Sequence, residues 1–239
     1  MLKPYVLFLF HFLISGNLAA QVPPLIETEW SQNCYYNDFL PELNNPNACN
    51  KAYAGCYAVA WSQIFNYYKF PVKPNTTTIS NSFYPNLKVK LSDVTYTYSD
   101  SAIKIKTKNS EVAKIIYHIG IAANTNWDNK ISLTDFDALP LITHFNYSPE
   151  IKKVDLRKLS RTEKISLIKN ELNHKRPVFA KNSFHYYLID GYNEKDEFHF
   201  NFGWSGQFNG YYDIENCIIA PGNLNPIQIM INIKPNYDF

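Results

Sequence analysis

The amino-acid sequence predicts an α+β fold, and two observations about order carry that reading. Segments with helical spacing of apolar residues lie before residue 177, and short strand-like runs follow one another after it. A third observation sets the scale. The chain has 239 residues, 46% hydrophobic and only 18% charged, which suits one large domain or two intimate lobes and argues against disorder.

Residues 1–20 read as a secretory signal, so secretion or a periplasmic location is expected. Lys3 supplies the positive start, Tyr5 to Ile14 is an apolar run, and Leu18-Ala19-Ala20 offers a cleavage site. That run is short for a membrane span. Glu27 to Gln32 is an extended lead into a loop rich in Asn, Pro and Tyr. From Gly55 to Pro71 the spacing predicts a helix of about four turns, with Val59, Phe65 and Tyr68 on one stripe and Ile64 widening it. Gly55 permits a sharp entry and Pro71 ends the pattern. Residues 72–107 are irregular, with one hairpin at most.

Ser110 followed by Glu111 is expected to cap a second helix to about Ala123, burying Val112, Ile115, Ile116 and Ile119. A third is expected from Thr134 to about Phe145, with Pro140 disturbing its middle. Ser160-Arg161-Thr162-Glu163 is a capping box opening a fourth, with Ile165, Ile168 and Leu172 buried. Strands follow at Pro177 to Ala180, Phe184 to Tyr192, Glu197 to Phe202, Tyr211 to Ile214 and Ile227 to Ile233. The turn Asn193 to Asp196 joins the second and third as a hairpin.

A formal charge of +2 is too small to argue for nucleic acid or an anionic membrane surface. The 18 Tyr and 16 Phe suggest an aromatic-lined groove. Of Cys34, Cys49, Cys56 and Cys217, no two have Cys-x-x-Cys spacing, which argues against zinc ribbons and thioredoxin-like redox chemistry; no metal or cofactor is expected. If Cys56 is free, Cys34 with Cys49 is the easiest pair and Cys217 is left over, but the pairing stays open. Cys56 stands where a helix begins, and unpaired amides there favour a thiolate; the plainer reading of such a cysteine is packing.

A catalytic thiol needs a base, and the base an orienting group. His118, His144 and His174 lie on or at the ends of helices, and His199 lies inside a strand. His185 stands where a strand leaves a loop, and Asn201 lies on the strand returning from the hairpin. An Asn amide oxygen accepting from the imidazole would fix its tautomer.

Three stretches together resemble the streptopain-like cysteine peptidases, papain-like in fold. Gly55-Cys56 with Ala58, Ala60, Gln63-Ile64, Tyr67 and Pro71 is similar to the family's nucleophile helix. His185 with Ile189-Asp190-Gly191-Tyr192, Asn201 to Gly206 and Gly210-Tyr211-Tyr212 is similar to its His–Asn hairpin. Trp30-Ser31-Gln32 with Tyr36-Asn37 resembles its oxyanion-hole entry, and Ile233-Lys234-Pro235 also fits.

The resemblance implies a two-lobed catalytic domain over 24–239, with a helical N-terminal lobe and an antiparallel β-sheet C-terminal lobe. It implies Cys56 as nucleophile, His185 as proton carrier, Asn201 as orienting group and Gln32 in the oxyanion hole. Trp204 would roof the site, and Phe184 would lean over the substrate cleft. Protein or peptide substrates are the implied partners, with a separate proteinaceous inhibitor as a further candidate.

Four features depart from the family pattern. No prodomain is expected between signal and catalytic domain, Ser183-Phe184 stands where Gly-Gly is common, Phe202 stands where Trp is frequent, and Cys217 to Leu224 replaces a glycine-rich loop. The function expected is secreted endopeptidase. The alternatives are an inactive relative serving as a binding or inhibitory module, and a thiol acyl transferase.

Overall fold

The structure is a computed structural model describing residues 21–75, 77–100, 102–128, 131–220 and 222–237. The signal reading of residues 1–20 lies outside the described residues. Among the described residues four α-helices form: α1 (Cys56–Tyr68), α2 (Ser110–Ala122), α3 (Leu139–Phe145) and α4 (Arg161–Asn173). A six-stranded antiparallel sheet dominates the second half, in the order β5-β12-β6-β7-β8-β9. Its strands are β5 (Lys152–Asp155), β6 (Val178–Lys181), β7 (Tyr186–Tyr192), β8 (Phe198–Asn201), β9 (Gly210–Tyr212) and β12 (Gln228–Ile231). Three small hairpins complete it: β1 (Thr78–Ser80) with β2 (Lys88–Lys90), β3 (Asn126–Trp127) with β4 (Ser132–Leu133), and β10 (Ile218–Ile219) with β11 (Gly222–Asn223). The architecture is the α+β, papain-like one.

Both faces of the large sheet are covered, and the alternation of its strands shows by what. Phe179, Leu188 and Met230 belong to a core shared with α1 and α2. Their neighbours Val178, Ala180, Tyr187, Ile189, Ile229 and Ile231 point the other way, into a second core with Ile168 and Leu172 of α4. The apolar runs at 178–180 and 187–189 are therefore nearly continuous, as expected of strands buried on two sides.

Helix α1 lies in this interior. Every residue from Tyr57 to Asn66 is buried, so the helix has no solvent face over that length, and the expected one-sided stripe is corrected to all-round burial. Lys69 closes it in the left-handed conformation (φ 51°), its amide bonded to Asn66 and Phe65 carbonyls.

Two helix starts also differ from expectation. Asn109 caps α2 in place of Ser110, its side chain accepting from the amides of Glu111 and Val112. Helix α3 starts only at Leu139, with Pro140 in its first turn, because a proline tolerated there would break an interior. Residues 134–138, expected in the helix, are irregular, and β4 ends just before them. The capping box of α4 is present, with Ser160 and Glu163 satisfying each other's amides. The edge strand β5 had no clear signal in the sequence.

Candidate active site

Cys56 is the first residue of α1, entered through Gly55 at φ +90°, a conformation that strains any residue with a Cβ. The added carbon would also meet Ser132 Cβ at 3.2 Å. The turn aims the sulfur at the start of β7, where the Tyr186 amide donates to Cys56 Sγ at 3.4 Å. The residue before Tyr186 is His185.

His185 is held by a turn. Asn182 Oδ1 accepts from the amides of His185 (2.7 Å) and Phe184 (3.0 Å), and the Asn182 amide donates to the His185 carbonyl at 3.1 Å. Asn182 was not singled out in the sequence, although an Asn three residues before the His is the signature of such a turn.

The expected hydrogen bond from the His185 ring to Asn201 is replaced by another. His185 Nε2 donates to the main-chain carbonyl of Phe202 at 2.8 Å. Asn201 is buried and spent elsewhere. Its Nδ2 donates to the Thr28 carbonyl (2.8 Å), and its Oδ1 accepts from Gln63 Nε2 (3.2 Å) and the Gly203 amide (3.2 Å). Asn201 thereby ties down both ends of the turn that carries the Phe202 carbonyl. Gly203 completes that turn at φ +68°, where an added Cβ would lie only 3.2 Å from Val59 Cγ1 of α1. A carbonyl can only accept, so the neutral imidazole carries its proton on Nε2 and leaves the Nδ1 lone pair as the base.

Gln63, buried within α1, joins the nucleophile helix to the rest. Its Oε1 accepts from Thr28 Oγ1 (2.9 Å) and from the Trp30 amide (3.3 Å). In the sequence it stood out only as part of the stretch resembling the family's nucleophile helix, with no role attached. Trp30 is buried, its Nε1 donating to the Ala102 carbonyl and its own carbonyl accepting from Ser205. Two residues on, the Gln32 carbonyl accepts from the Ala54 amide at 2.8 Å, which holds Gln32 beside the entry to α1.

Gln32, Cys56, Phe184, His185 and Trp204 all line one cleft of about 680 Å³. Asn201 is buried behind it. The Trp204 ring stacks on His185 with centroids 4.3 Å apart and planes 26° from parallel, shielding the imidazole and its bond to Phe202. Phe184 is 58% exposed at the rim and is not part of the core.

Burial governs the electrostatics. It pushes the Cys56 thiol up to about 11, against the opposing pull of the Tyr186, Tyr57 and Cys56 amides. It pulls His185 down to about 4, with the bond to Phe202 acting the other way. The thiolate expected from the helix terminus is therefore corrected: desolvation outweighs the local amides. Both shifts favour the uncharged forms, thiol and neutral imidazole. Cys34 and Cys49 are joined, with Cα atoms 5.6 Å apart, while Cys56 and the buried Cys217 are free.

Comparison with known proteins gives one family, similar relatives and a shared fold. Residues 30–212 match the model described as the peptidase C10 family. The thiol protease/hemagglutinin PrtT of Porphyromonas gingivalis is 25% identical over 232 residues, an alignment covering 87% of this chain and 26% of PrtT. Streptopain of Streptococcus pyogenes is 24% identical over 183 residues, covering 69% of this chain and 46% of streptopain. The chain thus spans about a quarter and somewhat under half of these relatives' lengths. Active interpain A, a cysteine protease of Prevotella intermedia, superposes with a TM-score of 0.73 at 24% identity, over 90% of this chain and 95% of that one. A prointerpain A fragment gives 0.75 at 23%, over 90% and 72%.

Proposed function

The chain belongs to the peptidase C10 family, and from that premise we propose that it is a secreted cysteine endopeptidase acting through a thioester. The observation that carries the reading is the His185–Phe202 bond: it orients a basic Nδ1 within the cleft that Cys56 shares. The Cys34–Cys49 disulfide supports an oxidising compartment, hence export.

The steps follow from the groups present. Nδ1 of His185 takes the Cys56 thiol proton as sulfur attacks the peptide carbonyl. The oxyanion is received by the Cys56 amide and the Gln32 side chain, each donor contributing roughly 3 kcal/mol in related acyl transfers. The imidazolium then protonates the departing amine, leaving a thioester on Cys56. Water, deprotonated by His185, hydrolyses it and regenerates the thiol. Asn201 acts through the Phe202 carbonyl and transfers no proton.

Labelling with an epoxysuccinyl thiol-protease probe, followed by peptide mapping, tests the assignment. The label is expected on Cys56. Cys56→Ala is expected to fold, escape labelling and leave casein intact, while Cys217→Ala still cleaves it. Casein digestion by Cys56→Ala at the wild-type rate would overturn the reading. Product masses with and without an added amine separate hydrolysis from acyl transfer.

A further inference from the structure

The cleft carries one permanent charge. Among the residues lining it, Lys181 is the single Lys or Arg, and no Asp or Glu is present. Lys181 is the last residue of β6, paired with Tyr186 across to β7. It lies two residues beyond Phe179 and so on the same face of the sheet, toward the nucleophile helix. Its main-chain carbonyl accepts from the Ile227 amide at 2.7 Å, which anchors the base of the side chain.

The ammonium end is held as well. Nζ lies 5.6 Å from the centroid of the Phe136 ring and 5.7 Å from that of Tyr186, two rings within 3° of parallel. Two ring faces hold a cation in place without neutralising it. Of the acids beside Phe136, Asp137 is engaged by Lys153 at 2.9 Å, and Asp135 forms no ion pair among the described residues. Three exposed apolar side chains share the cleft with Lys181: Phe184 and Leu133 are each 58% exposed, and Ile131 is 53%.

A cleft that offers exposed apolar side chains and one cation with no ion-pair partner among the described residues matches a side chain with a methylene stem and a carboxylate tip. We propose that Lys181 is a specificity-determining residue that selects substrates bearing an acidic residue, Glu above all, close to the bond cleaved. The inference rests on the peptidase reading for its consequence, but not for the binding preference itself. Phe184 and Leu133 take the stem and Lys181 the carboxylate. The pairing is electrostatic, so it gives specificity that weakens as salt rises.

An octapeptide series, with Glu, Gln and Lys rotated through each position, tests this in two assays. In the first, kcat/KM of the wild-type protein is expected to favour Glu over Gln by about tenfold at one position, the ratio shrinking in high salt. Lys181→Met is expected to bring that ratio to about one, and Lys181→Glu to turn the preference toward Lys. In the second, fluorescein-labelled versions of the same peptides are bound to Cys56→Ala, and to Cys56→Ala carrying Lys181→Met, so that selectivity is read without chemistry. Equal cleavage of Glu and Gln peptides at every position, or a Glu preference that survives Lys181→Met, overturns the inference and leaves the peptidase reading standing. No cleavage of any peptide, with Glu-selective binding abolished by Lys181→Met, upholds the inference and overturns the peptidase reading.

Discussion

His185 Nε2 donates to the carbonyl oxygen of Phe202 at 2.8 Å, so the group that orients the imidazole is main chain and not a side chain. Such an acceptor is only as well placed as the turn that carries it. Asn201, bonded to Thr28, Gln63 and the Gly203 amide, holds that turn.

Asn201→Ala is therefore expected to lower kcat about tenfold with little change in KM, because the base is less well oriented while substrate contacts remain. The readout specific to positioning is the tautomer. Nitrogen NMR of wild-type His185 should show the proton on Nε2, and Asn201→Ala should show a mixture. An unmixed tautomer with normal kcat would remove Asn201 from the site.

Gln32→Ala is expected to lower kcat roughly a hundredfold and leave KM nearly unchanged, as for a donor that engages only the developing oxyanion. Gln32→Glu, which replaces the donor by a carboxylate, should be at least as damaging. Unchanged turnover in Gln32→Ala would exclude it from the oxyanion hole.

The pH dependence follows from the two burial shifts. His185 sits at about 4, so it is neutral and able to accept a proton at any pH above that, and activity should fall only as the pH drops through this region. Cys56 sits at about 11, so its direct alkylation by iodoacetamide should stay slow near neutrality and accelerate toward that value. The two groups titrate as a pair, and it is the pair's limbs that are read. An alkylation rate already on its plateau at pH 6 would mean that thiolate and imidazolium form before substrate arrives.

Phe184→Gly should relax selectivity for slim apolar stems at the rim. The ring removes volume from the cleft while offering apolar surface, at about 25 cal/mol per Å² buried by a substrate. Because Phe184 is exposed, its loss should leave the melting temperature nearly unchanged. An unaltered cleavage profile on a peptide library would take Phe184 out of the specificity argument.

What the sequence determined by itself is whatever short-range chemistry encodes. Ser160 and Glu163 announced the start of α4, the short apolar and aromatic runs announced β6, β7, β8 and β12, and Gly55 before Cys56 announced a sharp turn into α1. Each depends on residues within a few positions of one another, through backbone torsion and side-chain period. The motifs around Cys56 and His185 were legible for the same reason.

The tertiary structure decided what depends on distant partners. Gln63 and Asn201 are 138 residues apart, and Asn201 and Thr28 are 173 apart, so no local pattern could show that Asn201 is spent on them and that the Phe202 carbonyl takes its expected role. The ionisation of Cys56 lay equally out of reach. A helix terminus is a local feature, but desolvation sums over everything packed around the sulfur, and in this fold that sum prevails. Lys181 looked like an ordinary strand residue. Only the meeting of β6 and β7 with the Phe136 segment makes it the single fixed cation of the cleft.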